Sequence, residues 1–65
     1  MTGQVASFDS PRGYGVIAAD DGTEVTFHCT AIADGSREIE PGTAVTFDLV
    51  ASHLGRWEAA AVTPA

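Results

Sequence analysis

The chain has 65 residues, enough for one small domain (residues 1–65) and too few for a second core or a large enclosed cavity. With 45% hydrophobic and 18% charged residues, its composition is typical of a folded protein and argues against a disordered tail. Nine acids, three arginines and no lysine give a net charge of −6, which repels polyanions and acidic membranes at long range.

The sequence carries no signal for a membrane or an oxidising compartment. No apolar run approaches the roughly 18 residues of a membrane helix, and residues 1–4 lack the basic and apolar character of a signal peptide. The single cysteine, Cys29, cannot form an internal disulfide. We therefore expect a cytoplasmic monomer without membrane contact, which its hydrophobic core alone holds together.

The first half of the chain is predicted to form three strands, at 4–8, 14–19 and 24–29. Hydrophobic residues alternate with polar ones there, and turn residues separate the segments. The pair Asp21-Gly22 predicts a tight hairpin because both residue types tolerate the left-handed backbone region.

The second half is predicted to contain one helical turn and two more strands. We expect the helical turn at 30–34, with Ile32 in the core, then a turn at 40–42, strands at 43–51 and 57–63, and a loop at 52–56 between them. Five antiparallel strands with a helical turn after the third can close into a barrel without exposed edges. The predicted core consists of Val5, Ile17, Val25, Phe27, Ile32, Val45, Phe47, Leu49 and Val62.

Neither catalysis nor metal binding is indicated. On a continuous strand His28 and Cys29 would point to opposite faces, so they would not form a nucleophile–base pair. His53 is remote in sequence, and no Cys/His spacing matches a zinc site. We expect no enzyme activity, no metal and no cofactor.

The ordered set of short motifs resembles the cold-shock domain over essentially the whole chain. The motifs are Gly3-x-Val5-x-x-Phe8-Asp9, Arg12-Gly13-Tyr14-Gly15-Val16-Ile17, Val25-Thr26-Phe27-His28-Cys29-Thr30-Ala31-Ile32, Glu40-Pro41-Gly42-x-x-Val45-x-Phe47 and Ala59-Ala60-Ala61-Val62-Thr63. The resemblance implies an all-β, five-stranded antiparallel Greek-key OB-fold barrel. It also implies binding of single-stranded RNA or DNA, whose bases stack on outward aromatic side chains of the second and third strands.

Carried over residue by residue, the resemblance retains only part of that stacking surface. The retained nucleic-acid-binding residues are Phe8, Arg12, Tyr14 and His28. Trp57, beside Arg56, is a candidate replacement near the rim of the binding face, with a lid over one barrel end as the alternative. Positions at which the family usually has aromatic residues fall on Ser7, Val16, Thr26, Cys29 and Ser36, and nearby basic positions fall on Gln4 and Ala6.

Two functions follow from this depleted surface. The first is single-stranded nucleic-acid binding of cold-shock type, weaker than usual because each missing stack removes roughly 1–3 kcal/mol. The second is a diverged barrel that contacts a protein partner through the small, mixed surface of Ser7, Val16, Thr26 and Cys29.

Overall fold

The five predicted strands are present and their bounds are close to those expected. A computed structural model of the chain describes residues 1–33, 35, 38–51 and 57–65. The strands are β1 (Thr2–Asp9), β2 (Tyr14–Ala19), β3 (Glu24–His28), β4 (Ala44–Ala51) and β5 (Trp57–Pro64), with a 3₁₀ turn at Cys29–Ala31 after β3. The predicted loop at 52–56 lies outside the described residues, as does part of the predicted helical turn.

The strands close into a barrel in the order β1-β2-β3-β5-β4, with β4 paired back to β1. This confirms the all-β, five-stranded barrel and is consistent with an OB-fold. One pairing differs from the expected antiparallel arrangement: β3 and β5 run parallel, with Thr26 opposite Glu58. The chain leaves β3, forms β4 and returns as β5 beside β3 in the same direction, and this parallel contact completes the barrel.

The core is the predicted one with a single exception and two additions. Eight of the nine predicted residues are buried, whereas Leu49 is half-buried and packs against the core. Ala19 and Ala59 are also buried, because a barrel this narrow needs small residues at some inward positions. Within the described parts of the chain, no helix is long and apolar enough to span a membrane.

A bulge in β1 explains how Val5 and Phe8, three residues apart, can both face the core. The register of β1 against β2 shifts between Val5 and Ser7, so that one extra residue lies in β1. Val5 is buried, Ser7 is exposed, and Phe8 is half-buried against the core. The bulge therefore turns Ser7 toward the outer face, where the candidate site lies.

The hairpin between β2 and β3 forms at the predicted Asp21-Gly22 pair. Gly22 has a positive φ of 90°, and the Thr23 backbone N–H donates to Asp21 Oδ1 at 2.9 Å. This backbone hydrogen bond, together with one from the Thr23 side chain, lowers the pKa of the fully exposed Asp21 carboxyl group. The turn fixes the register between β2 and β3 and hence which of their residues are neighbours on the outer face.

Candidate nucleic-acid interface

An open groove of about 860 Å³ crosses the outer face of β1, β2 and β3 and reaches β5. Its lining residues are Ser7, Phe8, Asp9, Ser10, Pro11, Arg12, Tyr14, Gly15, Val16, Thr26 and Glu58. Three of the six predicted binding residues, Phe8, Arg12 and Tyr14, thus lie in one groove. The fourth, His28, contacts the Tyr14 ring at the groove's edge.

The aromatic part of the groove is a cross-strand pair. Tyr14 on β2 lies opposite His28 on β3, with the rings edge to face and their centroids 4.8 Å apart. The Tyr14 side chain is 54% exposed, and His28 is half-buried. Edge-to-face contact holds the Tyr14 ring in place while leaving much of its surface open to a ligand.

The orientation of His28 is fixed by the 3₁₀ turn that follows β3. The His28 side chain caps this turn: its Nδ1 accepts from the Thr30 backbone N–H at 3.3 Å and lies 2.9 Å from Thr30 Oγ1. The Thr30 contacts therefore hold the His28 ring by its Nδ1 side and fix its position next to Tyr14.

Gly15, which follows Tyr14 on β2, allows close packing of side chains behind the groove. Gly15 lies opposite both Phe8 and Phe27, whose rings are stacked with centroids 5.9 Å apart. A Cβ atom at Gly15 would lie 2.6 Å from Phe27 and 2.8 Å from the Ser7 carbonyl oxygen. Any side chain here would force the Phe27 ring or the β1 backbone to shift, and glycine thus lets Phe27 fill the core directly behind the groove floor.

The rest of the floor is a row of four non-aromatic residues, one from each of the strands β1, β2, β3 and β5. Ser7 pairs with Val16, Val16 with Thr26, and Thr26 with Glu58. All four residues line the groove. The row offers a shallow surface with one charged residue, Glu58, at its β5 end.

The charge of the groove is acidic overall. Arg12 is 81% exposed, and its Nε lies 3.8 Å from Asp9 Oδ2, a solvent-exposed contact of little energetic consequence. Among the described lining residues Arg12 is the one cation, against the carboxylates of Asp9 and Glu58. The described lining therefore offers an anionic ligand one favourable charge and two unfavourable ones.

Trp57 lies outside this groove. It lines a smaller adjacent one of about 390 Å³ together with Thr23, Glu24, Val25, Thr26 and Leu49. Its side chain is 64% exposed, which is not the burial expected of a lid over the barrel. Thr26 lines both grooves and so connects them. Arg56, the remaining predicted binding residue, lies outside the described residues.

Comparison with known proteins matches the whole chain to one family. The family model of the 'Cold-shock' DNA-binding domain matches residues 1–65. Cold shock protein 1 of Lactiplantibacillus plantarum is 43% identical over 63 residues, which cover 95% of this chain and 94% of that protein. Cold shock protein ScoF of Streptomyces coelicolor is 42% identical, with 98% and 97% covered. This chain belongs to the cold-shock domain family.

Family membership confirms the resemblance that the motifs indicated. Cold-shock domains are binding proteins and not enzymes. Among the residues that the structure describes, no group of three or more His, Cys, Asp or Glu side chains could hold a metal ion.

Two details of this cold-shock domain differ from the sequence interpretation. Strand β3 ends at His28, so strict alternation does not extend to Cys29, and the Cys29 Sγ lies 3.9 Å from His28 Nδ1 rather than on the opposite face. Cys29 packs against the core and does not line the groove, so it is not part of the small surface formed by Ser7, Val16 and Thr26. Ser36 lies outside the described residues.

Of the groove residues that sequence reasoning missed, Asp9, Ser10 and Pro11 lie next to predicted site residues in sequence, whereas Glu58 comes from the distant strand β5. Its acidic type and its place beside buried Ala59 are those of an ordinary solvated strand residue. Only the parallel pairing of β5 with β3 brings Glu58 next to Thr26 and into the groove.

Proposed function

We propose that this cold-shock domain binds single-stranded RNA or DNA through the groove of β1, β2 and β3, with lower affinity than members that carry a full aromatic surface. The observation that supports the proposal most is the exposed Tyr14 ring in an open groove, held edge to face by the half-buried His28 at the groove's edge. A base that stacks on Tyr14 gains roughly 1–3 kcal/mol, whatever its identity.

The lower affinity is expected from the residues that surround Tyr14 and His28. The positions Ser7, Val16 and Thr26 line the groove, yet none of them presents an aromatic ring for a second or third base. The carboxylates of Asp9 and Glu58 also oppose the approach of phosphates. Phe8 contributes less as a stacking surface than as packing, since it is half-buried against Phe27.

The proposal is tested by titrating the protein with a six-base oligo-pyrimidine and following backbone amide NMR signals. We expect shifts centred on Tyr14 and His28. Tyr14→Ala should weaken binding by about 1–3 kcal/mol, because it removes the main stacking surface. The matched control is Val50→Ala, which shortens an exposed apolar side chain on β4 outside the groove and should leave affinity unchanged.

The second function, contact with a protein partner, is favoured by the acidic charge and the small residues of the groove. It predicts that no oligonucleotide, even at millimolar concentration, shifts the signals of Tyr14 and His28. A cytoplasmic location and a monomeric state stay predictions from the sequence.

A further inference from the structure

Glu58 has an unusual place for a carboxylate in a groove that would bind a polyanion. It is half-buried, lies at the end of the row Ser7, Val16, Thr26 and Glu58, and is the one described residue of β5 that lines the groove. A carboxylate at this position repels phosphates, so a favourable contact between Glu58 and a bound strand would be made with a base.

The sheet geometry places Glu58 beside a base that lies on the small residues of the row. Neighbouring strands are about 4.8 Å apart, so Glu58 is one strand spacing from Thr26 and two from Val16. Tyr14 and Val16 are two residues apart on β2, and both line the same groove. A base next to the one on Tyr14 would therefore rest on Val16 and Thr26 and direct its edge toward the Glu58 carboxylate.

The chemistry of that edge distinguishes the bases. An ionised carboxylate only accepts hydrogen bonds, through two oxygens. Guanine presents two adjacent donors, N1–H and the N2 amino group, which match both oxygens in a charge-assisted pair. Uracil and thymine present a single N3–H between two carbonyl oxygens, which the carboxylate repels. These edges are free in a single strand, where base pairing does not occupy them.

We propose that Glu58 is a specificity-determining residue that makes this groove prefer guanine over uracil or thymine. The proposal rests on the proposed function, because it concerns which bases the same groove selects. Cytosine and adenine each have one amino group, so the groove should bind them with affinities between that for guanine and that for uracil or thymine.

The test compares three DNA hexamers by isothermal titration calorimetry: all thymine, the same strand with guanine at its two central positions, and the same strand with hypoxanthine there. Hypoxanthine retains the N1–H of guanine and lacks the N2 amino group. We expect the guanine strand to bind about tenfold more tightly than the all-thymine strand, with the hypoxanthine strand between them.

The decisive variant is Glu58→Gln, and its matched control is Glu24→Gln. Both substitutions remove one negative charge from the face formed by β3 and β5, but Glu24 lines only the groove that contains Trp57. Glu24→Gln should bind every hexamer somewhat more tightly, whereas Glu58→Gln should tighten binding of the all-thymine strand and lose the two-donor contact to guanine. Only Glu58→Gln should reduce the guanine-to-thymine ratio, to about threefold or less, because an amide group can also pair with the thymine edge.

Equal affinity of the normal protein for the guanine and thymine hexamers would overturn the role of Glu58 and leave nucleic-acid binding intact. So would a guanine preference that persists in Glu58→Gln. A guanine strand that binds no better than the hypoxanthine strand would likewise contradict the two-donor contact. If no hexamer binds at all, the proposed function fails together with this inference.

Discussion

At the scale of single residues, side chains that appear equivalent in the sequence motifs differ in how far they are exposed in the groove. Tyr14 and Phe8 are both aromatic and close in sequence, yet Tyr14 is more than half exposed and Phe8 packs against the core. Arg12 lies in the groove and faces Asp9, which offsets its charge. We therefore expect base stacking at this site to depend chiefly on Tyr14, with His28 as its support.

Trp57 provides a prediction at this scale. A single strand that leaves the groove across Thr26 reaches the adjacent groove, where the Trp57 ring is exposed. We expect an oligo-pyrimidine to quench the fluorescence of this single tryptophan, and Trp57→Ala to weaken binding by about 1–3 kcal/mol. Tyr14→Ala should reduce the quenching, because it weakens binding of the same strand.

The melting temperature distinguishes this role from that of a lid. Because the Trp57 ring is 64% exposed, Trp57→Ala should change the melting temperature little. A large loss of melting temperature, combined with no quenching at millimolar oligonucleotide, would mean that Trp57 stabilises the barrel and takes no part in binding.

At the scale of elements, the six residues of strand β2 contribute side chains both to the core and to the groove. Tyr14 and Val16 face the groove, while Ile17 and Ala19 are buried. Gly15 lies between Tyr14 and Val16 and leaves its inward space to Phe27. The glycine that follows Tyr14 therefore serves the packing of Phe27 behind the groove and also keeps the groove open next to Tyr14.

Gly15→Ala tests this packing. The added methyl group would lie 2.6 Å from the Phe27 ring and 2.8 Å from the Ser7 carbonyl oxygen, so either β1 or the core must shift. We expect a loss of about 1–3 kcal/mol in the free energy of unfolding, measured by urea denaturation. Val16→Ala, at the next position and half-buried in the groove, is the control and should cost less. Equal losses for both variants would show that the barrel accommodates the methyl group.

At the scale of the whole molecule, stability depends on a small core without cross-links among the described residues. Phe47 is one of its largest members and is 2% exposed. Phe47→Ala should cost about 3–5 kcal/mol of unfolding free energy, close to the whole margin of so small a domain. Thermal denaturation followed by circular dichroism would detect this loss. A nearly unchanged melting temperature would contradict the assignment of Phe47 to the core.

Leu49→Ala is the matched comparison for that experiment. Leu49 lies on the same strand and face as Phe47 but is only half-buried against the core. Its truncation should therefore cost clearly less than that of Phe47, since less of the removed surface is buried.

The net charge of −6 leads to a prediction about salt. With three arginines at most and no lysine, few phosphates can be neutralised, and each contact to a single strand contributes about −0.7 to the slope of log K against log salt. We expect a slope no steeper than about −2, measured by titrations between low and high potassium chloride. A much steeper slope would mean that groups other than these arginines contact the strand.

The amino-acid sequence by itself determined the five strands, most of the core and the family of this protein. Period-two alternation and turn residues such as Asp21-Gly22 are local signals, so they can be read without knowledge of the fold. The resemblance to the cold-shock domain also implied that Tyr14 and His28, on the second and third strands, face outward.

The tertiary structure alone decided which distant residues share the groove. The parallel contact of β5 with β3 brings Glu58 beside Thr26, and the bulge in β1 turns Ser7 outward while Phe8 packs inward. It also assigned Trp57 to a neighbouring groove. Barrel closure and bulge placement depend on contacts between residues far apart in the chain, and local periodicity carries no information about such contacts.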